Sequence, residues 1–98
     1  MGFLSALFST AKWNDDPYQK RLAGMILGGA VYNASHCMEG QEINIGEVLA
    51  LTKEAGWSQK EAADRFVHAL SMIKPAADAR TYDAAKDIAM NLYNAYTY

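Results

Sequence analysis

The chain has 98 residues, a length suited to one small domain that buries about two-thirds of the surface its unfolded form exposes. Hydrophobic residues make up 51% of it and charged residues 20%, a composition that excludes a disordered tail. The net charge of −2 offers no general attraction to polyanions, so nucleic acid is not an expected partner. A single cysteine, Cys37, excludes an internal disulfide framework, and no secretory signal pattern opens the sequence, which favours a cytoplasmic protein.

Residues 1–13 predict a short amphipathic helix at the start of the chain. Its large apolar positions share one helical face: Phe3, Leu4, Leu7 and Phe8. Such a helix docks on the body of its own domain, on a partner protein, or on a membrane surface. Membrane-surface helices carry several cationic residues on the polar face, and here only Lys12 is available, so docking is the favoured interpretation.

The next element is predicted to be a central apolar helix over about residues 17–39. An aspartate of the pair Asp15-Asp16 can cap its first turn, and Pro17 is tolerated at the first helical position. The seventeen residues 22–38 contain no Asp, Glu, Lys or Arg, so the helix should be contacted on several sides. Gly24 and Gly28, one turn apart, predict a close crossing by another helix.

Two well-marked helices follow. Asn44 and Glu47 give start signals for a helix from about Ile45 to Ala55, which Gly56 closes. Ser58 and Glu61 form a capping box ahead of a helix whose inward positions have clean helical spacing: Ala62, Phe66, Ala69, Leu70 and Ile73. The opposite face of this helix is predicted to be solvated and of mixed charge, with Lys60, Asp64, Arg65 and His68.

Pro75 interrupts the chain, and a last helix is predicted from about Thr81 or Tyr82. Its inward residues are Ala85, Ile88, Ala89, Leu92 and Tyr96. No run of alternating β-branched residues predicts a strand. The predicted fold is therefore all-α, a single compact bundle over residues 1–98 with about five short helices around the central one.

Metal and catalytic sites have weak sequence signals. A group of four candidate ligands lies near the end of the central helix: His36, Cys37, Glu39 and Glu42. A zinc site needs three or four ligands with recognisable spacing. Here the Cys37 side chain points about 100° away from His36 around the helix. Cys37 also lacks the electropositive surroundings of a reactive thiolate. We therefore predict no metal, no cofactor and no enzymatic activity.

The stretch Asn44–Ile73 has a pattern of capping and small residues at Asn44, Glu47, Gly56, Ser58, Lys60, Ala62 and Ala69. At these positions it resembles the helical hairpin that opens HU-type nucleoid proteins and, in outline, a helix-turn-helix. The resemblance implies nucleic-acid binding, but it covers 30 of 98 residues and lacks the basic β-arms that carry DNA binding in the HU family. Glu61 and Asp64 also offset the nearby cationic residues, whereas phosphate contacts require net positive charge.

A second resemblance, to TerB-like helical proteins, rests on an amphipathic start followed by a helix, an acidic-glycine turn and another helix. Glu39-Gly40 and Glu47 fall about where that family has acidic residues. The resemblance implies a membrane- or metal-associated stress protein. The acidic pairs expected of the family are missing from this chain.

Aromatic residues give the most informative surface signal. Tyrosines crowd the last helix and the tail, and with Tyr96 inward the others cannot all share its face. Because tyrosine is enriched in binding hot spots, we predict a partner-binding surface, with self-association as the other possible use. Its predicted residues are Tyr82, Tyr93, Tyr98, Phe3 and Phe8. The leading hypothesis is a non-catalytic protein-binding helical module of the inhibitor, immunity-protein or adaptor type.

Overall fold

The computed structural model describes residues 11–36 and 45–97, and it confirms the all-α fold class. These residues form four α-helices: α1 (Pro17–His36), α2 (Ile45–Ala55), α3 (Gln59–Ile73) and α4 (Ala79–Thr97). Two short 3-10 helices, Ala11–Asp15 and Lys74–Ala76, precede α1 and follow α3. Of the helix predicted over residues 1–13, only the end is described, and it is 3-10 rather than α-helical. Residues 37–39 of the predicted central helix lie outside the described ranges.

Local capping interactions explain where the helices begin. Asp16 Oδ1 accepts hydrogen bonds from the backbone N–H groups of Tyr18 at 2.8 Å and Gln19 at 3.3 Å. Ser58 Oγ accepts from the Glu61 N–H at 3.1 Å. These are the caps that the sequence predicts.

The last helix begins earlier than predicted. Asp78 Oδ1 accepts a hydrogen bond from the Thr81 N–H at 2.8 Å, so α4 starts at Ala79, two residues before the predicted Thr81. Gly56 ends α2 with a φ of 74°, a left-handed conformation that glycine adopts without strain. The Trp57 N–H donates to the Thr52 carbonyl at 3.1 Å and completes this helix end.

The apolar core lies between α1, α3 and α4, and α2 adds Val48 and Leu51. All the inward positions predicted for α3 are buried, and on α4 the four aliphatic ones are buried while Tyr96 is half-buried against the core. From α1 the core receives Leu22, Ala23, Ile26 and Ala30. Periodicity therefore identified the buried stripes of α3 and α4 correctly.

The central position predicted for α1 is confirmed only in part. Its buried side packs in the core, but the opposite side is exposed and includes Gly24 and Gly28. A methyl group placed at either glycine has no described atom within 4 Å, so no described helix crosses there. The predicted close crossing is wrong for the described residues, because α3 and α4 approach α1 from the other side.

Candidate functional site

A buried arginine is the unexpected feature of the bundle. Arg65, in the middle of α3, is only 5% exposed. Its guanidinium carbon lies 4.3 Å from the centre of the Trp13 ring and 4.4 Å from the centre of the Trp57 ring. The planar cation is thus in contact with two indole rings, an arrangement that cation–π attraction favours when water is excluded.

Polar groups compensate the charge of Arg65. Nη1 donates to Gln19 Oε1 at 3.3 Å and lies 3.5 Å from Asp16 Oδ2, while Nη2 donates to Glu61 Oε1 at 3.1 Å. The Gln19 amide in turn donates to the Arg65 backbone carbonyl at 3.0 Å. Two carboxylates and one amide therefore interact with a single guanidinium. These interactions offset much of the free-energy cost of removing the guanidinium from water.

His68 extends the same cluster by one turn of α3. Its Nε2 lies 2.7 Å from Asn14 Oδ1, and its ring meets Trp13 edge-on with the ring centres 5.4 Å apart. Burial lowers the pKa of His68, and the nearby charge of Arg65 lowers that pKa further. The prediction that Arg65 and His68 belong to a solvated face is wrong, because the segment Trp13–Asp16 covers them.

We name this group the Arg65 cluster; it consists of Trp13, Asn14, Asp16, Gln19, Trp57, Glu61, Arg65 and His68. Among the described residues its polar groups bond to one another, except for Arg65 Nε, which is buried without a hydrogen-bond partner. The cluster therefore acts as an internal clamp that fixes the chain before α1 against α3. The sequence indicates only one contact of this cluster, the pair Glu61 and Arg65, which lie four residues apart on a helix. Apart from the contact of Arg65 with Trp57, eight positions away, the other contacts join residues 46 to 55 positions apart, which helical periodicity cannot reveal.

A second feature lies on the surface of α4. Tyr82 and Tyr93 are eleven residues apart, so on an α-helix they lie within about 20° of each other and about 16 Å apart along the axis. Both are half-buried, and Tyr82 packs against the core. Between them Met90 is 39% exposed on the same side. We call these residues, with Lys86 and Thr97 at the same helical spacing, the tyrosine flank.

A shallow depression lies at the C-terminal end of the tyrosine flank. It is lined by Tyr96 and Thr97 of α4 and by Gln59 and Lys60 at the start of α3. Tyr96 itself is used internally, since its ring meets Phe66 edge-on at 4.8 Å and its hydroxyl lies 3.2 Å from Thr52 Oγ1. The row of side chains on the tyrosine flank therefore ends at this depression.

The residues predicted for partner binding divide into two groups. Tyr82 and Tyr93 lie together on the tyrosine flank, and sequence reasoning did not identify Met90 between them. Phe3, Phe8 and Tyr98 lie outside the described residues. The same is true of Cys37, Glu39, Glu42 and the side chain of His36, from which a metal site was considered. In the described ranges no group of three or more His, Cys, Asp or Glu residues could hold a metal ion.

Further apolar side chains are exposed on α1 and α2. On α2, Ile45 is 41% and Leu49 42% exposed. On α1, Val31 is 48% and Tyr32 46% exposed. The outer face of α1, as we use the term, consists of Gly24, Gly28, Val31, Tyr32 and Ser35, all exposed. Among the described residues, no helix is long and apolar enough to cross a bilayer.

These observations define an all-α helical bundle with an internal arginine clamp and a tyrosine-lined surface. Comparison of the chain with protein-family models, with curated proteins and with solved structures found no match.

Proposed function

We propose that this protein is a non-catalytic helical module that binds a partner protein through the tyrosine flank of α4. The observation that supports it is the placement of Tyr82, Met90 and Tyr93 along one side of a single helix. Aromatic side chains and methionine are enriched in protein interfaces, because they bury a large apolar area and adapt to the partner's surface. The inhibitor, immunity-protein and adaptor types all act by occupying a partner in this way.

The spacing of the side chains along the flank supports the same proposal. A row of side chains spaced by about three and four residues is the pattern with which one helix packs into a groove of another protein. Lys86 lies within this row, and Asp83 and Asp87 border it on the solvent side; all three are exposed. The apolar contact is therefore bordered by polar groups of this chain.

The nucleic-acid alternative receives less support from α3. The helical hairpin of α2 and α3 is present, but Arg65 is buried between two tryptophans and cannot contact phosphate. The exposed positions that remain on its first turns include Lys60 and Asp64, whose charges cancel. Phosphate-dominated binding needs clustered positive charge and falls steeply with salt, so a gel-shift series in rising salt separates the two functions. Salt-sensitive binding of duplex DNA at micromolar protein would reverse this ranking.

Co-purification from the native host tests the proposal directly. Tagged wild-type protein, Met90→Asp and Leu49→Asp are used as baits under identical conditions. Met90 and Leu49 are similarly exposed, at 39% and 42%, but only Met90 belongs to the tyrosine flank. We expect wild type and Leu49→Asp to recover the same partner and Met90→Asp to lose it, because a buried unpaired carboxylate is costly.

Once the partner has been identified, its affinity for the Tyr93→Ala variant can be measured. We expect this variant to bind the partner at least about tenfold more weakly than wild type, which corresponds to a loss of ~1.4 kcal/mol at a hot spot. Equal recovery by Met90→Asp and wild type contradicts the proposal. So does turnover of a small molecule by a protein that recovers no partner.

A further inference from the structure

Met90 differs from the other methionines that the structure describes. Met25 and Met72 are half-buried and pack against the apolar core, whereas Met90 is 39% exposed on α4. Met90 lies on the tyrosine flank, three residues before Tyr93, so the two side chains are neighbours on the helix surface. Because oxidation of a side chain depends on its exposure, Met90 is the described methionine most open to a peroxide in solution.

We propose that Met90 is an oxidation site and that its conversion to the sulfoxide releases the partner protein from the tyrosine flank. This regulation rests on the proposed function, since it acts on the same surface. A lone pair of the Met90 sulfur attacks one oxygen of hydrogen peroxide, and the O–O bond breaks as the S–O bond forms. The hydroxide that leaves takes the proton of the new S–OH group, so the products are methionine sulfoxide and water. The sulfur is oxidised by two electrons, and the peroxide is reduced.

The sulfoxide oxygen is a hydrogen-bond acceptor within an otherwise apolar contact. In the free protein this oxygen is hydrated, and the exposed ammonium of Lys86, four residues earlier on α4, is a donor within reach. The exposed carboxylate of Asp87 offers only acceptors and cannot bond to it. An apolar partner side chain packed on Met90 would remove the water without replacing its hydrogen bonds, which is costly. Oxidised protein therefore favours the free state.

The position of Met90 allows oxidation without loss of the fold. Among the described residues, Met90 does not belong to the side chains packed against the core. The residues that α4 buries lie on the opposite side of the helix: Ala85, Ile88, Ala89 and Leu92. The added oxygen therefore meets solvent rather than the interior of the bundle. Sulfoxide reductases convert methionine sulfoxide back to methionine at the expense of two thiols, so the change is reversible.

Peroxide treatment of the full chain tests the site. All baits carry Cys37→Ser, because a thiol also reacts with peroxide. The parent bait has no further change, and Met90→Leu and Met72→Leu are compared with it. Exchange of methionine for leucine nearly conserves side-chain volume, and circular dichroism melts before and after treatment show that each bait is folded.

The readouts are the chemistry at each methionine and the binding of the partner. After catalase has removed the peroxide, peptide mapping by mass spectrometry gives the oxidised fraction of every methionine. The partner recovered from the native host by the untreated parent is then titrated against each bait, treated and untreated.

We expect Met90 to oxidise faster than Met25 and Met72. The oxidised parent should bind the partner at least about tenfold more weakly than the untreated parent, because the complex buries an unpaired polar oxygen. Met72→Leu should lose affinity to the same extent, whereas Met90→Leu should keep its affinity. Methionine sulfoxide reductases should restore binding by the oxidised parent.

Unchanged affinity of the oxidised parent overturns the proposal. Equal loss of affinity in Met90→Leu also overturns it, since another residue is then responsible. So does oxidation of Met90 that is no faster than that of Met72, or a treated parent that has unfolded. Failure of the proposed function is a separate result: untreated wild type recovers no partner, or Met90→Asp recovers it as well as wild type does, and the regulation then falls with it.

Discussion

Arg65 is the residue whose environment sets this bundle apart from a simple set of amphipathic helices. Burying a guanidinium is costly, and the cost is offset here by two indole faces, two carboxylates and an amide. The carboxylates of Asp16 and Glu61 remain 29% and 40% exposed, so they retain part of their hydration. The ion pairs are therefore partly screened by water, and we expect the contact of the cation with the two indole rings to contribute more to stability.

We expect Arg65→Met to lower the free energy of unfolding by about 2–3 kcal/mol, because it removes the cation beside the indole rings and takes the Nη1 donor from Gln19 Oε1 and Asp16 Oδ2. Arg65→Lys should lose about 1–2 kcal/mol, since an ammonium keeps the charge but lacks the planar surface. Urea unfolding gives both values, and Lys86→Ala, an exposed change, should stay within about 0.5 kcal/mol. If Arg65→Lys is as stable as wild type, stacking between the tryptophans does not contribute.

His68 should make stability depend on pH in a defined window. Its pKa is lowered in the folded protein by burial and by Arg65, whereas the unfolded chain has a histidine pKa of about 6.5. The folded state therefore binds fewer protons, so this stabilisation is complete above about pH 6.5 and is lost as the pH falls toward the lowered pKa. Unfolding free energies from about pH 7.5 to 5 should fall in wild type.

The His68→Gln variant should flatten this pH dependence, because glutamine does not titrate. His36→Gln is the matched control, and it should retain the slope that belongs to His68. An unchanged slope in His68→Gln would show that other groups produce the pH dependence.

At the scale of the helices, two glycines illustrate how backbone conformation decides the effect of one substitution. Gly56 ends α2 with a φ of 74°, where a Cβ is strained whatever the space around it. Gly24 lies inside α1 with ordinary helical geometry, and a methyl group added to it would meet no described atom within 4 Å. The helix end needs its glycine, and the helix interior does not.

Gly56→Ala is accordingly expected to lower the free energy of unfolding by about 1 kcal/mol or more, and Gly24→Ala to raise it by up to about 1 kcal/mol. Thermal melts of the two single variants give the signs directly. A destabilising Gly24→Ala would mean that part of the chain packs too tightly over the outer face of α1 to admit a methyl group.

Across the whole molecule, the helices are anchored unequally. In α2 only Val48, Leu51 and Thr52 are buried, whereas α3 buries eight residues. The ion pair between Arg21 and Glu54, at 3.7 Å with both side chains 58% exposed, adds little to that attachment. The helix α2 should therefore unfold locally more readily than α3 and α4.

Hydrogen–deuterium exchange tests this order. Backbone amides of α2 should exchange faster than those in the middle of α3 and α4, because local opening of α2 exposes few apolar side chains. Equal protection in all three helices would instead mean that the bundle opens only as a unit.

The sequence by itself determined the features that depend on neighbouring residues. Hydrogen bonds and backbone conformation within a few residues explain the caps at Asp16 and Ser58 and the end of α2 at Gly56. Helical periodicity explains the buried stripes of α3 and α4. Of the proposed binding surface, the sequence identified Tyr82 and Tyr93. It did not identify Met90, whose exposure depends on how far the neighbouring helices extend around α4.

Only the tertiary structure decided the burial of Arg65 and His68 and the open outer face of α1. Three of the contacts of Arg65, with Trp13, Asp16 and Gln19, come from a segment some fifty positions earlier, and the helical pattern of α3 carries no information about that segment. A charged residue beside an apolar stripe is usually solvated, because burial is costly unless a distant part of the chain provides compensating groups. Similarly, the charge-free run of α1 predicts that the helix is buried, but which of its sides is covered depends on where the other helices pack.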